Sequence, residues 1–302
     1  MAWQWMIQNW LRHLAEQKIR EAVAEAARQQ AFSATADPEA AEARKCDLGA
    51  VFALREESGG FEDLLEGVVT TKGDGFVIHR GEWKGRRIGI AVSGAGRETA
   101  ARAAEALILG HCPRWVFSAG FCGGLSPKLK RRDLLVADCL TLPDGSELPI
   151  DLEPVQSARL LSKPGVHVGR LLTVDEIVRR PREKRSLGKS HCAMGVDLES
   201  FAVAEVCRRR RTRLLVVRVV SDAVDETLPR EVDRLSRQKT RAAQLGAALG
   251  AILDRPGAIK EMYRLKQNAL ACSDQLAKAL ASLTAHLIPS APEEDPHARD
   301  AN

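Results

Sequence analysis

The chain has 302 residues, 45% hydrophobic and 28% charged, a balance that fits a globular protein with a buried core. A net charge of +5 with only 4% aromatic residues offers no basic, aromatic-interleaved surface of the kind that binds nucleic acid. The seven cysteines are scattered and never spaced as C-x-x-C, which argues against a disulfide framework or zinc knuckle and for a reducing, cytoplasmic compartment.

Residues 1–31 predict one amphipathic helix, with Trp3, Ile7, Trp10, Leu11 and Leu14 at helical spacing. Its apolar face is read as packing on the body or on a partner subunit. The alternative, a helix lying in a membrane surface, draws on three tryptophans within the first ten residues. The scarcity of nearby cations (Arg12, then Lys18 and Arg20) counts against it. The N-terminus lacks the pattern of a signal peptide, and no apolar run approaches the roughly 20 residues needed to span a bilayer. Residues 32–45, polar and alanine-rich around Pro38, predict a linker.

From Cys46 the pattern changes. Asp47–Leu54 predicts a first strand, and Val68–Arg80 with Trp83–Val92 a hairpin pair. A helix is expected over Arg97–Leu109, and strands over Arg114–Ala119, Asp133–Leu140 and Gly165–Leu172. Val196–Arg209 reads as helix, Arg213–Val220 as strand and Arg230–Leu253 as a long helix. Strands alternating with helices over residues 46–254 imply an α/β body. The expected architecture is three-layer α/β/α, with a central mixed, largely parallel sheet and helical extensions at both termini. The C-terminal extension is a helix over residues 256–288 carrying Leu276, Leu280 and Leu283, followed by a polar tail, 289–302, expected to be disordered. The basic run Arg208–Arg211 fits a helix C-terminus facing solvent.

Five short stretches stand out. Ser93-Gly94-Ala95-Gly96 joins a strand to a helix, where glycines let backbone N–H groups approach an anion; a tight packing turn accounts for it equally well. It lacks the third glycine and following acid of a dinucleotide site. Ser118-Ala119-Gly120-Phe121-Cys122-Gly123-Gly124-Leu125 offers a backbone edge that a flat ligand can approach. Gly195-Val196-Asp197-Leu198-Glu199-Ser200 puts acids at a helix start, where the dipole alone would explain them. Val216 to Asp222 is an apolar strand carrying Arg218 and ending in Ser221-Asp222. A buried arginine there needs a carboxylate partner, structural or functional. Arg55-Glu56-Glu57 by itself is a charged loop. The histidines, among them His79, His111, His167 and His191, show no metal-ligand spacing.

Together these stretches resemble the purine nucleoside phosphorylase and methylthioadenosine/S-adenosylhomocysteine nucleosidase superfamily, from about Cys46 to Leu253. Val196-Asp197-Leu198-Glu199-Ser200 is similar to its V-D/E-M-E-S/A motif, and Val217 to Asp222 to its V-R-x-I-S-D motif. Ala53-Leu54-Arg55-Glu56-Glu57 is similar to A-M-x-E-E, and Gly120–Leu125 to the glycine-rich loop. Arg180–Leu187 and Tyr263-Arg264-Leu265-Lys266 look most like the bacterial branch associated with hopanoid lipids, which includes phosphorylases acting on adenosylhopane.

The resemblance implies cleavage of the ribosyl–purine bond by hydrolysis or phosphorolysis, with no cofactor beyond inorganic phosphate as a co-substrate in the second case, and a homodimer. It implies that Asp222 protonates purine N7, Glu199 holds the ribose hydroxyls, Glu57 activates water and Arg218 positions that water or a phosphate. Gly94, Gly96, Phe121, Cys122, Gly123, Ile177, Leu198 and Ser221 would bind substrate. Phe121 replaces a small hydroxyl residue, and Ile177 an aromatic that packs on the base. The Phe121 departure keeps open a catalytically weak nucleoside-binding protein on the same fold. Arg55 and Arg97 are the candidate phosphate cations.

Overall fold

The structure of the protein is a computed structural model that describes residues 42, 44–228 and 258–289. The expected helices at 1–31 and Arg230–Leu253, and residues 290–302 of the tail, lie outside the described residues. The chain divides into two compact units, Met1–Lys45 and Cys46–Asn302, and the second contains the sheet.

At the centre of the sheet is β1 (Leu48–Phe52), flanked by two parallel neighbours, β4 (Arg86–Val92) and β5 (Trp115–Gly124). Every residue of β1 is buried, as expected of a strand covered on both faces. Its side chains alternate between the two layers. Leu48, Ala50 and Phe52 join one core cluster and Val51 joins the other. Beyond β4 the sheet continues antiparallel through β3 (Val77–Trp83) to β2 (Glu66–Lys72).

On the other side the sheet closes on itself. β5 pairs in parallel with β10 (Arg213–Asp222), and β10 runs antiparallel to β6 (Leu134–Thr141). β6 is parallel to β8 (Val166–Thr173), and β8 to β9 (Gly195–Asp197). β9 then returns antiparallel to β5 at Gly123 and Gly124. The short strand β7 (Glu147–Pro149) adds to β6. β5, β10, β6, β8 and β9 therefore form a ring, and the carboxyl ends of β5 and β10 lie side by side in it.

Helices cover both faces. On one, α2 (Arg97–His111) and α4 (Ser200–Arg210) pack through Ala100, Ala103, Ala104, Leu107, Val203 and Val206. Gly49 and Gly89 permit this approach, because a Cβ at either would come within 2.9 or 3.0 Å of the Leu107 side chain. On the other face lie α1 (Arg55–Glu62) and the long α5 (Ala258–Leu287). Phe61, Leu276, Leu280 and Leu283 pack there against Phe52, Ile88, Ile90 and Val217. The fifth helix, α3 (Pro181–Ser190), starts with proline at its first turn, where the missing N–H is harmless. Among the described residues no helix is long and apolar enough to cross a membrane.

The three-layer α/β expectation holds, with local corrections. The expected hairpin pair is three strands: β3 and β4 meet in a two-residue turn at Lys84 and Gly85, both with positive φ. β5 runs on through the glycines to Gly124 instead of ending near Ala119. The helix expected from Val196 starts at Ser200, because Gly195–Asp197 is taken up as β9. Arg55-Glu56-Glu57 is no loop but the first turn of α1. That helix is weak in intrinsic propensity because of Gly59 and Gly60, and a Cβ at Gly60 would lie 3.1 Å from the Ser273 carbonyl of α5. Arg208–Arg211 do lie exposed at the end of α4, with Arg211 in the left-handed conformation that closes it.

Helix α5 is an integral layer of this body, and the two sides of the helix give a direct test. Leu280 is fully buried and Leu270 is 57% exposed. Leu280→Ala is expected to lower the unfolding free energy by about 2–5 kcal/mol. Leu270→Ala is expected to stay within about 0.5 kcal/mol. Urea denaturation of the two variants checks both values.

Candidate functional site

The site begins with Glu57, the third residue of α1. Its Oε2 accepts the backbone N–H of Leu54, the residue that caps the helix, at 2.9 Å, and that of Ala53 at 3.0 Å. Its Oε1 accepts the N–H of Phe121 on β5 at 2.8 Å. The carboxyl is buried, and burial pushes its pKa up, opposed by Arg218 and by these three backbone bonds.

Arg218 lies in the middle of β10 and is 1% exposed. Its Nη2 donates to Ser200 Oγ at 2.8 Å and Ser118 Oγ at 3.1 Å and forms an ion pair with Asp197 Oδ2 at 2.8 Å. Asp197 is fixed in turn by Thr173 Oγ1 at 2.7 Å and the Ser200 N–H at 3.0 Å. The pairing of β10 with β5 sets Arg218 opposite Gly120. A Cβ at Gly120 would collide with Arg218 Nη1 and lie 2.8 Å from Glu57 Oε1, so the missing side chain makes the space in which the two groups meet. Arg218 Nε is buried without a hydrogen-bond partner. The arginine is thus paired with a carboxylate, one of the readings open from the sequence. The partner is Asp197, which sequence reasoning left without a role.

Glu199, the residue before α4, is also buried. Its Oε1 accepts the N–H of Gly96 at 2.9 Å, joining the Ser93–Gly96 turn to the helix start. Burial first, and then the Asp197 and Glu57 charges, push its pKa up to about 8, against the pull of Arg218. Gly94 and Gly96 both have positive φ, so this turn needs glycine. Leu198 is half-buried and packs beside Val196 and Leu172.

Asp222 closes β10 and is 2% exposed. Its Oδ1 accepts the hydroxyl of Ser221, which also donates to the Cys122 carbonyl at 3.2 Å. Its Oδ2 accepts the ammonium of Lys184. A Cβ at Gly123, opposite Asp222 in the β5–β10 pairing, would sit 3.4 Å from Oδ2. Burial raises the Asp222 pKa, while Lys184 and Ser221 oppose it. Lys184 was missed from the sequence, since nothing in the polar stretch Pro181–Ser190 marks its one buried side chain.

The structure therefore brings Glu57, Phe121 and Arg218 together, sets Asp222, Ser221, Cys122 and Gly123 at the ends of β5 and β10, and joins Glu199 to Gly96 within electrostatic reach of Arg218 and Glu57. Ile177 lies half-buried in the loop between β8 and α3. That loop is tied to the Gly96 turn by an ion pair between Asp175 and Arg97 at 2.6 Å. Arg55 is exposed on the first turn of α1. Helix α5 braces both halves. Ser273 Oγ accepts the Gly60 N–H at 3.0 Å and donates to the Glu57 carbonyl at 3.3 Å, and Asn268 Nδ2 donates to the Ser221 carbonyl at 3.0 Å. Among the described residues no group of three or more His, Cys, Asp or Glu is placed to hold a metal ion.

Comparison with solved structures finds the same fold in several enzymes. A 5′-methylthioadenosine/S-adenosylhomocysteine nucleosidase from Neisseria meningitidis, in complex with methylthio-immucillin-A, superposes with a TM-score of 0.58 at 21% identity, covering 78% of this chain and 98% of that one. An S-adenosylhomocysteine nucleosidase from Streptococcus pyogenes, in complex with 5-methylthiotubericidin, gives 0.63 at 16% identity, covering 80% and 98%. The native futalosine hydrolase of Helicobacter pylori gives 0.61 at 21% identity, covering 78% and 96%. The family model of the phosphorylase superfamily matches residues 49–255, more than half of the 302, and the chain belongs to that superfamily.

Proposed function

We propose that this protein hydrolyses the bond between ribose and the base of a purine nucleoside. The observation that carries the reading is the division of buried carboxyls along the ends of β5 and β10. Glu57 lies beside Arg218 across Gly120, and Asp222 lies separately against Gly123. Cleavage of a ribosyl bond passes through an oxocarbenium-like state and needs one group to protonate the leaving base and another to accept a proton from the nucleophile. In this reading water attacks C1′ as the C1′–N9 bond breaks and its electron pair moves into the base. Asp222 gives a proton to N7, Glu57 takes the proton lost by the water, and Glu199 hydrogen-bonds the ribose hydroxyls. Gly94, Gly96, Phe121, Cys122, Gly123, Ile177, Leu198 and Ser221 line the path of base and sugar.

Water is favoured over phosphate because Arg97, a cation suited to phosphate, is engaged by Asp175, and Arg55 faces solvent. Three relatives in fold are named as nucleosidases or a hydrolase, which supports the same choice.

Incubation with methylthioadenosine, S-adenosylhomocysteine, adenosine and inosine, with and without phosphate, followed by chromatography, tests the reading. Free base and free sugar released independently of phosphate are expected; sugar 1-phosphate formed only with phosphate would replace hydrolysis by phosphorolysis. Asp222→Asn and Glu57→Gln should each lower kcat by about 100-fold or more. Gly120→Ala should be as damaging, because its methyl group occupies the space between Arg218 and Glu57; wild-type turnover in this variant would remove the geometric basis of the mechanism.

Glu199 makes a pH prediction. Its folded pKa of about 8 lies above its ordinary 4.5, so the folded state binds more protons between these values. The stability it contributes is full below about 4.5 and is lost as pH rises through about 8. The fall in unfolding free energy across that window should shrink in Glu199→Gln, measured by denaturant titration at a series of pH values.

A further inference from the structure

Helix α3 buries one side chain, and it is a lysine. Lys184 is fully buried, and its ammonium has three acceptors: Asp222 Oδ2, the Ala223 carbonyl at 2.9 Å and the Glu226 carbonyl at 2.8 Å. An ammonium has three protons to donate, so every one is placed. The arrangement also accommodates the other protonation state. A neutral amine keeps two N–H groups for the two carbonyls, and its lone pair accepts an O–H from a protonated Asp222. Neither state strands a buried polar group, which is the usual cost of moving a proton inside a protein.

We propose that Lys184 and Asp222 act as one acid that shares a proton, with Lys184 a positioning residue that resupplies Asp222 as Asp222 protonates the leaving base. The inference rests on the nucleosidase reading. As the C1′–N9 bond breaks, the one shared proton moves from the Lys184 ammonium to the Asp222 carboxylate and from there to N7, leaving a neutral amine beside a carboxylate. The pair ends one proton short, and Glu57 ends one proton richer from the attacking water. Exchange with solvent after product release restores both.

The surroundings fit this pairing. Glu226, the remaining acid beside Asp222, is held by Arg131 at 2.8 Å and accepts the Ala223 N–H at 2.7 Å. The thiols of Cys122 on β5 and Cys272 on α5 lie within electrostatic reach of Asp222, and burial raises the pKa of both. Lys184 is therefore the cation that bonds to Asp222 from a neighbouring element, and Ser221 supplies the hydroxyl.

Replacing Lys184 in two ways separates proton supply from charge balance. In Lys184→Met, Asp222 becomes a lone buried carboxylic acid. At about pH 6 Lys184→Met should keep part of its turnover, and the alkaline limb of the kcat profile should move down by about one pH unit or more, since no ammonium remains to supply Asp222 with a proton. In Lys184→Arg the charge remains but the guanidinium gives up no proton. Asp222 is then locked as a carboxylate, and kcat should fall about 100-fold at every pH with KM little changed. A merely structural lysine predicts the reverse order, with arginine the better substitute. Lys184→Gln, whose amide serves the two carbonyls, stands in for methionine if that variant does not fold.

Infrared difference spectra against Asp222→Asn read the protonation of this carboxyl with no substrate present. A neutral carboxyl band at neutral pH is expected in Lys184→Met and not in Lys184→Arg. Arginine activity equal to or above that of methionine, or no neutral carboxyl in Lys184→Met, overturns the proposal. Failure of the unmodified protein to cleave any nucleoside counts instead against the nucleosidase reading, while the infrared result still decides whether Asp222 holds a proton once the ammonium is removed.

Discussion

A guanidinium placed in the middle of an apolar strand is costly unless its charge and its donors are all used. Arg218 meets most of that demand through Nη2, with residues from much of the ring, and leaves Nε buried without a partner. Ser118 comes from β5, Asp197 from β9, Ser200 from α4, and Thr173 at the end of β8 holds Asp197. The strands that close the sheet therefore also carry most of the partners of Arg218. Gly120 is bare because Arg218 and Glu57 occupy the place of its side chain, and β5 stays extended through its glycines because β9 and β10 both hydrogen-bond to it there.

Charge balance then divides the carboxyls into groups with different chemistry. One guanidinium faces Asp197, Glu199 and Glu57, and it cannot neutralise all three. Asp197 has the direct ion pair. Glu199 has a single backbone bond and takes a pKa of about 8, so it carries the proton that relieves the excess at neutral pH. Glu57 lies between these cases: three backbone N–H groups stabilise its anion while burial opposes it, which suits a group that exchanges a proton during turnover. Asp222 stands apart, with Lys184 as its own cation. Two cations, each beside its own acids, let one site hold acids of opposite task.

Much of this was legible in the sequence, for identifiable reasons. The central strands announce themselves because burial on both faces demands continuous apolar runs, as in Leu48–Phe52 and Leu214–Val217. The carboxyls were visible through short motifs whose spacing reflects their place at strand and helix ends. What the sequence hid depends on contacts between distant segments. Glu57 reads as part of a charged loop until Phe121, 64 residues away, donates to it. Helix α1 contains two glycines and would be a poor helix alone; it exists because α5 packs on it. Asp197 resembles a dipole partner at a helix start until β9 forms and turns it towards Arg218. Lys184 lies in a stretch so polar that its burial becomes evident only in three dimensions.

The bracing by α5 shows how these distant contacts give the site its precision. Ser273 bonds the backbone of α1 at Glu57 and Gly60, and Asn268 bonds the carbonyl of Ser221 next to Asp222. Both come from one helix, buried along Cys272, Leu276, Leu280 and Leu283, so the two carboxyls are referenced to a single rigid element. A displacement of about 1 Å between reacting groups is enough to cost about 100-fold in rate. Cleavage with an acid at the base and a proton acceptor at the sugar requires that separation to be held while substrate enters and products leave. Residues 268 and 273 lie beyond the stretch matched by the superfamily model, 49–255, yet they bond the backbone at Glu57, Gly60 and Ser221 within it. The α/β body accordingly extends through α5, and the helix that looks like an extension in the sequence braces the geometry on which the proposed chemistry relies.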